Sequence, residues 1–273
     1  MKSLPRRTAA LATAGALALV APAGAQASSL ITISGATASY PLVSLLAAKY
    51  SKLVHHRVRF RITQGGSQIG VNDVAAGRVS IGDVSRDPLS ADPKGLDFYP
   101  IAKYAVCIVT NSANRLTNLT TAQAQAIFTG KTRSWAAVPG ASGSSGTIDL
   151  ISRTSTAGTL SNFQTLLLEG KKVSSVATQE SSEGLLRQAV TSDPSSIGFL
   201  SNYQAGLGGV NVVDYNGVAC TTANARSGAY AGVARFYEVT NGRATGAVAS
   251  FIAWIDRSRA ARRIISSQWI PIG

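Results

Sequence analysis

Apolar positions along this chain alternate between two periods. Short extended runs at Ile31 to Ser34, Val58 to Thr63, Ser80 to Gly82, Ile148 to Ser152, Ile197 to Leu200 and Val210 to Tyr215 read as strands, and stretches of helical period lie between many of them. Leu42, Leu45, Leu46, Lys49 and Leu53 mark a first helix, with Pro41 in the first turn where its missing donor costs nothing. Ile69, Val74 and Ala75 mark a second, which Gly77 stops. Thr120 and Gln123 have capping-box spacing around a helix over Ala122 to Phe128, and Gly130 supplies its stop. After the Gly/Ser-rich loop Gly140 to Gly146, Leu160, Phe163 and Leu167 mark a helix ending before Gly170, and Glu183 to Val190 reads as another. Two longer extended runs, Phe98 to Thr110 and Ala234 to Thr240, predict crossings between two lobes, so that the C-terminal helices carrying Phe251, Ile252 and Ile255 return to the first. The alternation of strand and helix is that of an α/β protein.

Three of the predicted helices open on tight polar turns: Thr37-Ala38-Ser39, Gly65-Gly66-Ser67 and Thr156-Ala157-Gly158-Thr159. A helix N-terminus exposes unpaired amide donors at the positive end of the helix dipole. Three such ends meeting at one point make an anion cradle that needs no catalytic group.

Composition narrows the picture. Lys2, Arg6 and Arg7, the apolar run Ala9 to Ala21 and the small-x-small site Ala25-Gln26-Ala27 read as a cleavable signal peptide over residues 1–27, of the ordinary secretory kind, with no Cys at the cleavage site to anchor a lipid. The chain is thus expected in a periplasm or secreted, without membrane insertion, because no later apolar run approaches the ~20 residues a span requires. The net charge of +13 falls to +10 without the three leader cations, an excess that suits anions. Nucleic acid is not the expected partner: Arg57, Arg59 and Arg61 alternate as one solvated strand face, and Arg257, Arg259, Arg262 and Arg263 read as the exposed side of a last helix. Cys107 and Cys220 are open to two readings, a single bridge or a buried thiol at Cys107.

Enzyme chemistry finds little support. His55 and His56 sit together in a polar connection, and the chain has no G-x-S-x-G elbow, no HExxH pattern and no Cys/His zinc spacing. Gly130-Lys131-Thr132 is not a phosphate-binding P-loop, because the position that needs its first glycine is Gln125. A phosphatase, the nearest enzymatic rival, lacks a metal cluster to activate its nucleophile. No cofactor and no metal are expected.

Ser34-Gly35-Ala36-Thr37, Gly65-Gly66-Ser67-Gln68-Ile69-Gly70, Ile81-Gly82-Asp83-Val84-Ser85-Arg86 and Ser152-Arg153 with Ala157-Gly158-Thr159 resemble, in order and spacing, the motifs of the periplasmic phosphate-binding proteins of phosphate ABC transporters. Ile127-Phe128-Thr129-Gly130-Lys131 with Trp135, Ser196-Ile197-Gly198-Phe199 and Trp269-Ile270-Pro271 extend the resemblance over nearly the whole mature chain. It implies a two-lobed periplasmic-binding-protein fold with the ligand cleft between lobes, residues 28–105 with 236–273 forming one and 106–235 the other. It further implies a monomer that captures inorganic phosphate and delivers it to an ABC transporter permease. By matching position, Thr37 and Ala38 lie in the first turn, Ser67 caps the second helix, Ser85 and Arg86 follow a strand, and Arg153, Ala157, Gly158 and Thr159 form the third contact.

Three positions depart from the family pattern. Ala38 replaces an aromatic residue, Ala157 replaces a Ser, and Ser85 stands where many members carry Asp. A carboxylate accepts the proton that phosphate carries and repels sulfate, which carries none. With Ser85 there, that duty falls to Asp83 or Asp87, or the ligand is another oxyanion of the sulfate or molybdate kind. A sensor or adhesin with an altered ligand is the remaining alternative.

Overall fold

The computed structural model describes Met1 and residues 28–272. The leader predicted over residues 1–27 therefore lies almost wholly outside the described residues. In chain order the elements are β1 (Ser29–Gly35), α1 (Tyr40–Leu53), β2 (Val58–Gln64), α2 (Ser67–Ala75), β3 (Ile81–Val84), β4 (Leu96–Asn111), β5 (Asn118–Leu119) and α3 (Thr121–Phe128). There follow β6 (Asp149–Arg153), α4 (Gly158–Asn162), β7 (Thr178–Glu180), α5 (Glu183–Ser192), β8 (Ser196–Ser201), α6 (Asn202–Gly206) and β9 (Val210–Tyr215). α7 (Thr222–Ser227), β10 (Val233–Asn241), α8 (Gly246–Arg257) and α9 (Arg259–Gln268) complete the chain.

The strands run in the order β2-β1-β3-β10-β4-β8-β6-β7, and β9 pairs with both β4 and β5. β4 joins the two halves of the molecule. Its residues Leu96 to Ala105 pair antiparallel with β10, and from Val106 onward its partners are β8 and β9. β1 lies parallel to β2 and β3 in one half, and β6 parallel to β7 and β8 in the other. The fold is α/β and two-lobed, with the lobes sharing β4. The long extended runs seen in the sequence are β4 and β10, each a residue or two longer than expected at either end.

Packing explains where the sequence pattern was followed and where it was not. α1 buries Leu42, Val43, Leu46, Ala47 and Tyr50, whereas Leu45 and Leu53 are 50% and 54% exposed. The helix is rotated from the expected stripe because the facing surface is aromatic: Tyr50 packs on Phe251 and Trp254 at 5.2 and 5.3 Å between ring centroids. Phe163 stacks on Phe199 at 4.1 Å and meets Phe128 edge-on at 4.6 Å, so the last half of the helix after Arg153 faces the core as predicted, although Phe163–Leu167 is wound as a π-helix and Leu160 is only half-buried. The capping box of α3 is complete, with the Gln123 amide donating to Thr120 Oγ1 and the Thr120 amide to Gln123 Oε1.

Cys107 and Cys220 are disulfide-bonded, with Cα atoms 5.6 Å apart, which settles the open pairing in favour of the bridge. It ties the middle of β4 to the segment ahead of α7. His55 and His56 are exposed in a left-handed turn, and Arg57, Arg59 and Arg61 are exposed as read. Among the described residues no helix is long and apolar enough to cross a membrane.

Candidate functional site

The three polar turns converge. Each helix closes its first i→i−4 bond one turn in, at Val43 to Ser39, Gly70 to Gly66 and Ser161 to Ala157, so the amides ahead of these point away from their own helices. The second turn hangs from the end of the first strand, with the Gly65 and Gly66 amides both donating to Gly35 O at 2.8 Å. The third reaches the second across the lobes: the Gln68 amide donates to Thr156 O at 3.0 Å, and Thr156 Oγ1 to Gly65 O at 3.2 Å. The first turn is joined through α5, whose Glu183 amide donates to Thr37 Oγ1 at 3.3 Å.

All nine residues predicted for the site, Thr37, Ala38, Ser67, Ser85, Arg86, Arg153, Ala157, Gly158 and Thr159, are buried. Gly158 marks the closest approach. A Cβ there would run into Ser67 Oγ and come within 2.6 Å of Ser85 Oγ and 3.0 Å of the Ser85 carbonyl carbon, so any side chain must displace the serine hydroxyls that meet here. Ser67 is not the cap of α2. Gly66 holds that position at φ +100°, which leaves Ser67 as the first helical residue; its Oγ accepts from the Ser85 amide at 2.9 Å and lies 3.1 Å from Ser85 Oγ. Thr159 Oγ1 donates to Glu183 Oε1 at 2.8 Å, so its hydroxyl proton is already engaged.

The two arginines differ. Arg86 forms a buried pair with Asp92, Nη2 to Oδ1 at 2.6 Å and Nη1 to Oδ2 at 2.9 Å, and Nη2 also reaches Gln68 Oε1. Burial alone raises the Asp92 pKa, but hydrogen bonds from Arg86 and the Leu89 amide, with the charge of Arg86, hold it below the usual carboxylate range. Arg153 is 1% exposed, yet among the described residues no carboxylate lies within 4 Å of it. Its Nε and Nη2 donate to the carbonyls of Glu180 and Ser181, leaving Nη1 uncommitted. Burial draws its pKa down, against the opposing influence of Glu183, Tyr104 and Glu180. A guanidinium stays charged under such pressure, so the site holds a buried cation with no directly bonded carboxylate among the described residues.

Both alternative acids are committed to other partners. The Asp83 carboxylate accepts from Ser39 Oγ at 2.6 Å, and that of Asp87 turns outward to Arg235 and to Tyr237, whose hydroxyl is 2.7 Å away. Residues missed in the sequence supply the frame. Tyr104 Oη and Asn162 Nδ2 both donate to Ser85 O, at 2.9 and 2.6 Å, and Glu183 links Thr159 to Ser201. Asn162 had a findable signal, since it lies one turn beyond Gly158 on the same helical face. Among the described residues no group of three or more His, Cys, Asp or Glu side chains is placed to hold a metal ion.

Turns from two lobes around a buried cation define a solute-binding protein. Residues 20–258 match the PBP superfamily domain, and the chain belongs to that family. The phosphate-binding protein PstS of Bacillus subtilis is 26% identical over 253 residues, covering 90% of this chain and 82% of that one. A structure with bound phosphate, of a substrate-binding protein assigned to a phosphate ABC transporter of Clostridium perfringens, is 25% identical; the alignment covers 89% of this chain and all of that one at a TM-score of 0.81. An ABC-type phosphate transport receptor of Vibrio cholerae shares the fold at 24% identity and a TM-score of 0.72, over 89% of this chain.

Proposed function

We propose that the protein captures inorganic phosphate between its lobes and delivers it to an ABC importer, acting as an exported monomeric binding protein and not as an enzyme. One observation carries this reading: the buried Arg153 guanidinium, on the strand that leads into the third polar turn, has two carbonyl partners, an uncommitted Nη1 and, among the described residues, no carboxylate within 4 Å. A dehydrated oxyanion gives Arg153 a directly bonded negative partner and accepts first-turn amides other than that of Gln68, which Thr156 O already holds. Thr37, Ala38, Ser67, Ser85, Arg153, Ala157, Gly158 and Thr159 surround it in this reading. Arg86 acts through its pair with Asp92, which braces the Ser85 loop. The change of β4 partners after Ala105 supports lobes of residues 28–105 with 236–273 and of 106–235. The names of the relatives support phosphate as the ligand and an ABC transporter as the partner.

Another oxyanion is the second reading, favoured by Ser85 and by the carboxylates of Asp87 and Asp83, which are committed to Tyr237 and to Ser39. Calorimetric titration with phosphate, arsenate, sulfate and molybdate decides between them. Tight one-to-one phosphate binding with weak sulfate binding upholds the first, and a preference for sulfate or molybdate upholds the second.

A further inference from the structure

Directly behind the α1 turn lies a pair of acids that the anion site does not use. Asp83 on β3 and Glu238 on β10 are cross-strand partners in register, which puts their side chains on one face of the sheet, and both are completely buried. Asp83 is bonded to Ser39, the residue preceding α1. Both carboxylate oxygens of Glu238 lack a hydrogen-bond partner, and among the described residues no cation lies within 4 Å of either acid.

Among the described residues the surrounding elements supply no counter-charge within 4 Å. α1 brings Ser39 and Tyr40 and has no acidic or basic residue in its first turn, and β1 has no titratable side chain. On α2, Asp73 is held by Ser34 and Arg78. β4 carries Asp97, Tyr99, Lys103 and Tyr104. Asp97 is exposed, the Tyr99 hydroxyl accepts from the Ala244 amide, Lys103 stands opposite Arg235, and the Tyr104 hydroxyl donates to Ser85 O. Burial pushes the Asp83 carboxyl up to about 7, and burial together with Asp83 pushes Glu238 well above the usual range. Two such acids side by side do not both ionise near neutral pH.

Resting on the oxyanion reading above, we propose that Asp83 and Glu238 form a proton-loaded pair that sets the pH range of anion capture. Protonated, the pair leaves the positive end of α1 to the ligand. Ionised, it fixes negative charge behind Ser39 and opposes an anion at Thr37 and Ala38.

The test is phosphate calorimetry from about pH 5.5 to about pH 8.5 on the wild type, Glu238→Gln and Asp83→Asn, with ligand-free melting over the same range. The titration of phosphate itself is common to all three proteins and cancels in the ratio of their dissociation constants. The ratio of wild type to Asp83→Asn is expected to rise roughly threefold or more as pH increases, because Asp83 is the member of the pair that ionises first. Because both folded pKa values are raised, the pair's contribution to stability is fully present below the unfolded carboxyl value of ~4 and is lost as pH rises through the folded values. Wild-type melting temperature is therefore expected to fall with pH relative to Asp83→Asn. Phosphate binding with a flat ratio and parallel melting curves overturns the pair and spares the oxyanion reading. A wild type that binds no phosphate at any pH overturns both. Asp83→Asn keeps the bond to Ser39 through its amide oxygen, Glu238→Gln leaves Asp83 to titrate and is expected to follow the wild type, and the double variant repeats the test should Asp83→Asn fail to fold.

Discussion

Two buried arginines carry different duties because their partners differ. Arg86 shares two hydrogen bonds with Asp92, so Arg86→Ala strands a buried carboxylate and is expected to cost about 3–5 kcal/mol of stability in urea unfolding. Arg153 faces carbonyls, so Arg153→Ala is expected to cost about 2–5 kcal/mol of phosphate affinity by calorimetry, against little change for the exposed Arg59→Ala. Equal losses at Arg153 and Arg59 would mean that general basicity does the binding. Ser85→Asp adds an acceptor-only group to the buried meeting point with Ser67 and Gly158, and competition titrations should show sulfate affinity falling far more than phosphate affinity. Residue types were legible in the sequence here, but their bonds were not. The engagement of Arg86 depends on Asp92, six positions along, and that of Ser67 on Ser85, eighteen positions away. Tyr104 and Glu183 carried no local signal because their partners lie on other elements.

At the scale of elements, strong periodicity and explicit stop signals were enough. Gly77, Gly130 and Gly170 all take positive φ where helices were expected to end, and the strand β9 has the bounds its apolar run predicted. β5, with two residues, and β7, a polar segment at the sheet edge, carry no pattern and exist only because a neighbouring strand offers a hydrogen-bonding edge. The Cys107–Cys220 bridge was likewise undecided in the sequence, since a buried apolar run suits a free thiol as well as a half-cystine. It closes a separation of 113 residues. Replacing both cysteines by Ser is expected to lower stability by about 2–5 kcal/mol, read from the melting temperature of the oxidised wild type against the double variant.

For the whole molecule, the described arrangement is a closed one, and its closure rests on few direct bonds. Gln68 to Thr156, Thr156 to Gly65, Glu183 to Thr37 and Asn162 to Ser85 span turns that belong to different parts of the sheet. Hydrogen bonds of this kind contribute only ~0.5–1.5 kcal/mol each, and water replaces them when the lobes part. The larger force for closure is then the bound anion, which completes the Arg153 charge and the first-turn donors from both sides at once. Saturating phosphate is therefore expected to lower the radius of gyration in solution scattering and to raise the melting temperature, since a ligand at about 100 times its Kd adds ~2.7 kcal/mol to the folded state. Gly158→Ala separates the two effects. Its Cβ obstructs the approach to Ser85 without touching Arg153 chemistry, so the variant should stay expanded in phosphate and bind it weakly while melting, ligand-free, close to the wild type. If Gly158→Ala contracts on phosphate as the wild type does, the lobes do not close through this contact, and the anion is held by one lobe alone.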